Sequence, residues 1–447
     1  MTLTPINPNI VRNSIVKSGL KSVGLASIRE TNRLVLNIEK ESGEKFIRME
    51  MGIPGLPAPK IAVNAEIEAL KNGVGSKYPP FDGIPELKIE ISLFIKNFIN
   101  VSVKPAYCIP TVGSMQGCFM SIMVSARRFS HRNKILFIDP GFPVNKIQTK
   151  VIGIPSENFD VYNYRGDTLR NKLESYLVKG DFGGLMYSNP NNPSWICFTD
   201  KELQIIGDLC TKYDVIALED LAYFGMDFRK DYSKPGVPPF IPSVSHYTDK
   251  YILLISSSKS FSLAGQRIGM TAISNELFTS EYENLLQYFN TKQFGYAFIF
   301  GAMYALSSGV SHSAQYGLYS ILKASNEGTY NYVDYIKEYG ERAKIMKKLF
   351  IDNGFHIVYD KDDNEDIADG FYFTIAHKGF TGPELVEELL YYGISSISLT
   401  TTGSDRHEGL RACVSLTGKK RFAELEKRLK QFHDDHKDGF KAIEFYK

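Results

Sequence analysis

Lys259 stands in the run SSSKSFSLAGQRIG, residues 256–269, eight residues ahead of Arg267. A lysine amine can form a Schiff base with an aldehyde, and serine hydroxyls beside an arginine can hold a phosphate. Pyridoxal 5′-phosphate (PLP) carries both groups. The alternative is a surface lysine that follows a core strand. The rest of the chain decides between the two.

Five further stretches bear on that choice. TVGSMQG (111–117) leads into a helical pattern, and a glycine turn at a helix N-terminus offers free backbone N–H groups to a phosphate; it also serves plain packing. PGFP (140–143) puts Phe142 after a strand end, where it could lie flat on a cofactor ring or fill core. SNPNNPS (188–194) holds two Asn-Pro pairs. Residues before proline are extended, so the Asn192 amide points in a fixed direction and can hydrogen-bond a phenolic oxygen; one Asn-Pro would have sufficed for a turn. In LEDLAY (218–223), Asp220 at the end of a buried strand needs a partner, such as a protonated pyridine nitrogen, unless it caps the next helix. Tyr223, three residues on, can reach a ring hydroxyl. In LRACV (410–414), Arg411 lies within an apolar strand, where a bidentate carboxylate from a substrate or an internal acid such as Glu408 would satisfy it.

The elements that must position these residues alternate. Apolar runs at 134–139, 151–154, 184–188, 215–219 and 251–255 read as strands, with helices between them, notably 200–213 capped by Thr199 or Asp200. Such alternation predicts a mostly parallel sheet covered on both faces, with the polar residues at its carboxyl edge. Helices are expected at 61–72, 85–100, 278–300, 332–350 and 421–434, and strands at 371–376 and 410–415. Loops are expected at 51–59 and 76–83. The expected fold is α/β: a large domain with a mostly parallel sheet of about seven strands sandwiched by helices, and a smaller α+β domain. The boundaries read as an arm with part of the small domain at 1–59, the large domain at 60–325 and the small domain at 326–447.

Composition excludes other classes. The 447 residues are 43% hydrophobic and 23% charged, with a net charge of +2, which gives no argument for nucleic acid or an anionic membrane. The five cysteines are widely spaced without a CxxC pair, which fits a reducing compartment and argues against a structural zinc site. His433 and His436 lie in a charged stretch that reads as a solvated helix face, and no metal site is expected. No apolar run approaches the ~18 residues of a membrane span. The first residues lack the basic-then-apolar layout of a leader, so the expectation is a cytoplasmic protein.

Taken together and in this order, the motifs resemble the class I/II aminotransferase family of fold-type I PLP enzymes, the aspartate aminotransferase superfamily. The matching residues are Tyr78 with Gly83, Gly113-Ser114-Met115, Phe142, 189–193, Asp220 with Tyr223, Ser256 with Ser258 and Lys259, Arg267 to Gly269, and Arg411. The resemblance covers about residues 45 to 430. It implies that Lys259 carries PLP as a Schiff base and moves the proton in a ping-pong exchange between an L-amino acid and a 2-oxo acid. Asp220 would pair with the pyridine nitrogen, Asn192 and Tyr223 would hold the ring oxygen, and Phe142 would stack on the ring. Gly113, Ser114, Met115, Ser256, Ser258 and Arg267 would form the phosphate site, and Arg411 would take the substrate α-carboxylate. Tyr78 would reach the phosphate of a neighbouring subunit, which implies a homodimer with shared active sites. Gly52 and Gly55 are candidates for packing against substrate. Three stretches depart from the family pattern: Ser194-Trp195 after the second Asn-Pro, the loop 399–407, and the shifted glycine loop at 52–55. All lie where family members choose substrates. A lyase on the same scaffold needs the same residues and is the alternative. A PLP-sensing transcription regulator would need a further N-terminal DNA-binding domain, and about fifty residues without a helix-turn-helix pattern precede the glycine loop.

Overall fold

The computed structural model describes residues 4–437 and 441–445. A two-residue strand, β1 (Ile47–Arg48), precedes the main sheet of β2 (Cys108–Thr111), β3 (Lys134–Asp139), β4 (Ser156–Asp160), β5 (Phe182–Ser188), β6 (Ile216–Leu221), β7 (Tyr251–Ser256) and β8 (Gly269–Ile273). Their order is β2-β8-β7-β6-β5-β3-β4. β8 runs antiparallel to β2 and β7, and the remaining pairs are parallel. β5, β6 and β7 are buried at every position, as continuous apolar runs inside a doubly covered sheet must be. Parallel neighbours need crossovers, and helix Asp200–Tyr213 supplies the one between β5 and β6. Thr199 and Glu202 close a capping box at its start.

The later chain gives β9 (Phe355–Ile357), the hairpin β10 (Lys361–Asp362) and β11 (Glu365–Asp366), then β12 (Tyr372–His377), β13 (Ile394–Ser395), β14 (Ile397–Ser398) and β15 (Leu410–Cys413). A second, antiparallel sheet runs β14-β15-β12-β9. β1 pairs in parallel with β13, Ile47 opposite Ile394, so the N-terminal segment joins the C-terminal sheet region.

Four expectations need correction. Residues 151–154 do not form a strand: they end helix Pro143–Val151 and turn, and the strand is Ser156–Asp160. β4 is an edge strand with exposed alternate positions, so it lacks the apolar run that marks buried strands. Residues 278–300 are not one helix. Asn290 at φ 55° ends the short helix Leu286–Phe289, Glu281 bridges to Gln293, and helix resumes at Phe294. Strands β2 and β8 lie outside the expected set, since both are short and β2 contains Pro110. That proline is tolerated because β2 is the sheet edge. His436 does not face solvent. It is buried, with Nε2 3.1 Å from Glu388 and Nδ1 2.6 Å from the Phe432 carbonyl. Among the described residues no group of three or more His, Cys, Asp or Glu could hold a metal, and no helix is long and apolar enough to cross a membrane.

Candidate active site

Strand register brings the motifs to one edge. Asp139 sits opposite Asp160, Ser188 opposite Asp220, Leu221 opposite Ile255, and Thr111 opposite Gly269. Every parallel strand ends there, and antiparallel β8 begins there. The stretches at 111–114, 139–142, 188–193, 220–223, 256–259 and 267–269 therefore share the carboxyl edge, where open α/β sheets bind ligands.

Lys259 follows β7 on the single helical turn Ser257–Ser260. Ser256 starts that turn by accepting from the Ser258 backbone N–H at 3.2 Å. Burial pushes the Lys259 amine below the usual lysine range; Asp220 opposes that shift, and Arg267 and Arg411 reinforce it. Four charges thus act on one another at this edge. Asp220 is buried, and its Oδ1 has no hydrogen-bond partner. Burial pushes its carboxyl up to about 7, while Lys259 pulls the other way. A buried carboxylate oxygen without a partner is costly and calls for a cationic or protonated ligand atom.

Arg411 reaches this edge from β15. It is fully buried. Its Nη1 donates to Asn192 Oδ1 at 3.3 Å and its Nη2 to the Glu50 carbonyl at 2.5 Å, and its Nε has no partner. Glu408, the internal acid considered above, pairs with Arg406 instead at 2.7 Å. Among the described residues no carboxylate is within ion-pair distance of Arg411. A buried guanidinium held by neutral oxygens alone is disposed to take an incoming carboxylate. With Asn192 Oδ1 engaged by Arg411, Nδ2 is the donor end of that amide.

At the other end of the edge, Gly113 starts helix Gly113–Ser125 at φ 64°, and its N–H donates to the Arg267 carbonyl at 3.1 Å. A Cβ on Gly113 would stand 2.8 Å from Arg267 Nη2, and its left-handed φ favours glycine at this helix N-terminus. Arg267 is solvent-exposed, itself at φ 49°. Ser114 follows Gly113, while the Met115 side chain points partly to solvent. Phe142 is half-buried with no aromatic neighbour among the described residues. Tyr78 is not brought to the edge: it is 95% exposed.

Gly52 and Gly55 line a loop pressed onto the site's far wall. A Cβ on Gly52 would overlap the Tyr372 hydroxyl, and one on Gly55 would overlap the Ser415 carbonyl. Tyr372, on β12, carries no sequence motif that marks it as a site residue. Its hydroxyl is 2.9 Å from that of Tyr223 and its ring lies under the Arg411 guanidinium, 4.6 Å from carbon to centroid. Its position inside a core-like aromatic run gave no sign of this. Trp195, at φ 66°, is fully buried with its ring 5.3 Å from Tyr223 and 6.2 Å from Tyr372. The 399–407 loop docks beside Phe142: Gly141 N–H donates to the Thr402 carbonyl at 2.9 Å, and Asp405 N–H to Asp160 at 2.8 Å. Arg406 lies over the Tyr162 ring at 4.4 Å.

The state of Asp220 predicts a pH effect. A carboxyl protonated in the fold to about pH 7, but ionised in the unfolded chain above about pH 4, binds more protons when folded. Its stability contribution is whole below pH 4 and is lost as pH rises through 7. In cofactor-free protein, Asp220→Asn should therefore gain stability over wild type as pH goes from 4 to 8, by about 2–4 kcal/mol. Thermal melts at fixed salt test this; a gap that stays constant across the window refutes the unpaired buried carboxyl.

Residues 44–355 match the family model "Aminotransferase class I and II". A probable aspartate aminotransferase of Methanocaldococcus jannaschii is 25% identical over 354 residues, 75% of this chain and 88% of the relative. An LL-diaminopimelate aminotransferase of Natranaerobius thermophilus is 26% identical over 328 residues, 72% of this chain and 76% of the relative. Among solved structures, a single mutant of Thermus thermophilus aspartate aminotransferase superposes with a TM-score of 0.74 at 16% identity, covering 91% of this chain and 96% of that one. These relatives are transaminases, and the lyase alternative has no counterpart among them. With more than half of its length matched by the family model, the chain belongs to the class I and II aminotransferase family and is a transaminase that moves an amino group from an amino acid to a 2-oxo acid.

Proposed function

We propose that this transaminase works with PLP held at the carboxyl edge described above, with Lys259 as its covalent anchor. The observation that carries the reading is the set of unmatched buried groups: a lysine amine pushed toward its neutral form, a carboxylate oxygen without a donor, and a guanidinium without an acid. They fit an aldehyde, a protonated ring nitrogen and a substrate carboxylate, in that order. When bound, the cofactor supplies an electron sink for the bond broken at Cα.

The chain's own residues do the rest. Asp220 would keep the ring nitrogen protonated. Asn192 and Tyr223 would hold the ring oxygen, and Phe142 would pack on the ring. Gly113, Ser114, Met115, Ser256, Ser258 and Arg267 receive the phosphate. Arg411, with Asn192 beside it, fixes the α-carboxylate. Gly52 and Gly55 let the N-terminal loop close on the substrate. Lys259 would be the base that takes the proton from Cα, and burial lowers the basicity of its amine.

The active unit is a homodimer in which Tyr78 reaches the partner's phosphate site. Its 95% exposure, and the outward-facing Ile61, Val63, Ile67 and Leu70 of helix Lys60–Lys71, support a second copy of the chain as the cover for that face. The chain is read as three segments, 1–59, 60–325 and 326–447, of which the first and last join through β1 and β13. The free, mostly buried cysteines support a reducing, cytoplasmic setting.

The PLP-loaded protein, mixed with single amino acids and no oxo acid, should lose its visible band with one equivalent of 2-oxo acid released, and should sediment at twice the chain mass. Catalytic release of an amine with the band retained would overturn the transaminase reading, and a single-chain mass would overturn the shared site.

A further inference from the structure

Tyr223 and Tyr372 form a closed pair. Both are buried, and their hydroxyls are 2.9 Å apart with Tyr223 donating. The neighbouring Trp195 ring offers only an N–H, which cannot accept a proton from either phenol. Tyr372 sits opposite Cys413 across β12 and β15, two residues from Arg411, and its ring carries the guanidinium at 4.6 Å. The Gly52 backbone seals its hydroxyl from the loop side, where no Cβ fits. One side chain thus touches both the residue that faces the ring oxygen and the residue that faces the substrate carboxylate.

We propose that Tyr372 is a positioning residue of the transamination reaction: its hydroxyl sets the donor strength of Tyr223, and its ring holds the pose of Arg411. This rests on the roles given above to Tyr223 and Arg411. Tyr223 has one proton and two acceptors, the Tyr372 oxygen and the ring oxygen of bound PLP. Were the ring oxygen to accept the Tyr223 hydrogen bond, the Tyr372 hydroxyl would be free to rotate and donate to the Tyr223 oxygen. A hydroxyl that accepts a hydrogen bond is a stronger donor in turn. A stronger donor holds an anionic ring oxygen unprotonated to lower pH. Burial raises both phenols, Tyr372 to about 12 and Tyr223 well above the usual tyrosine range, so the pair keeps its protons through the working pH. The guanidinium over the ring adds a cation–π contact to the hydrogen bond that Arg411 makes with Asn192.

The test uses PLP-loaded enzyme and reads the pH midpoint of the cofactor's visible band beside KM and kcat for the best amino acid donor. Tyr372→Phe keeps the ring and removes the hydroxyl. It should raise the midpoint by about half a pH unit or more, as one lost hydrogen bond implies, with KM within about twofold of wild type. Tyr372→Leu, with Tyr372→Met as the gentler replacement, should give the same midpoint shift and also raise KM about tenfold. In a Tyr223→Phe background, Tyr372→Phe should move the midpoint no further. An unmoved midpoint in a normally coloured Tyr372→Phe enzyme overturns the proposal alone, as does an equal shift that persists without the Tyr223 hydroxyl. A wild-type protein with no PLP band overturns the cofactor reading first and this proposal with it.

Discussion

Lys259→Ala should leave a folded protein that binds PLP without a visible Schiff-base band and transaminates at least about 10⁴-fold more slowly. On the proposed reading two functions would be lost together, the covalent anchor and the proton carrier at Cα, and no neighbour would replace either. The charges that act on Lys259 belong to Asp220, Arg267 and Arg411, and none of these is a neutral base at its position. Folding should survive the change. Lys259 makes no hydrogen bond among the described residues, and its amine is disfavoured by burial. Cofactor-free Lys259→Ala should therefore melt at or above the wild-type temperature, because the change removes an amine whose charged form burial disfavours. Spectra and melts of the same preparation check both halves. An unchanged visible band would remove the whole assignment of the site. A collapsed melt would mean that the lysine is structural.

Arg411→Ala should lower kcat/KM for amino acid donors by about 100- to 1,000-fold, chiefly through KM, with PLP affinity within a few-fold of wild type. The estimate follows from a buried, charge-assisted contact worth about 3–4 kcal/mol. Arg411→Lys should restore little, because an ammonium cannot reproduce two parallel N–H donors and loses the flat contact with Tyr372. Some stability will go as well. The Glu50 carbonyl and Asn192 Oδ1 both lose a buried donor, at about 1–3 kcal/mol in total. Titrating apo variants with PLP separates the readings. If cofactor affinity collapses along with KM, Arg411 is a structural brace between the N-terminal segment and the 188–193 loop rather than the carboxylate anchor.

Much of this protein was legible in its sequence. The five expected large-sheet strands included four at nearly their observed limits, because strands buried on both faces must be continuous apolar runs. The polar residues beyond their ends marked the carboxyl edge, where open α/β sheets bind ligands. Asp220 and Arg411 were readable for one physical reason: a charge inside an apolar run is intolerable without a partner, so its presence points to one. Edge strands β4 and β2 escaped the same logic, since an edge carries polar or proline residues that break the pattern.

Only the tertiary structure decided what the neutral aromatics do. Tyr372 and Trp195 sit in stretches whose composition says core, and they are buried as core residues are. Their partners are 149 and 28 residues away in the chain, at Tyr223, and no local period encodes such a meeting. It likewise took the fold to show Glu408 spent on Arg406, leaving Arg411 with neutral oxygens, and to turn His436 inward onto Glu388. The sequence by itself determined which charges need partners, because burial of a charge is costly wherever it occurs. The tertiary structure determined which partner each one has, because hydrogen bonds and ring contacts depend on ångström-scale distances between segments far apart in the chain.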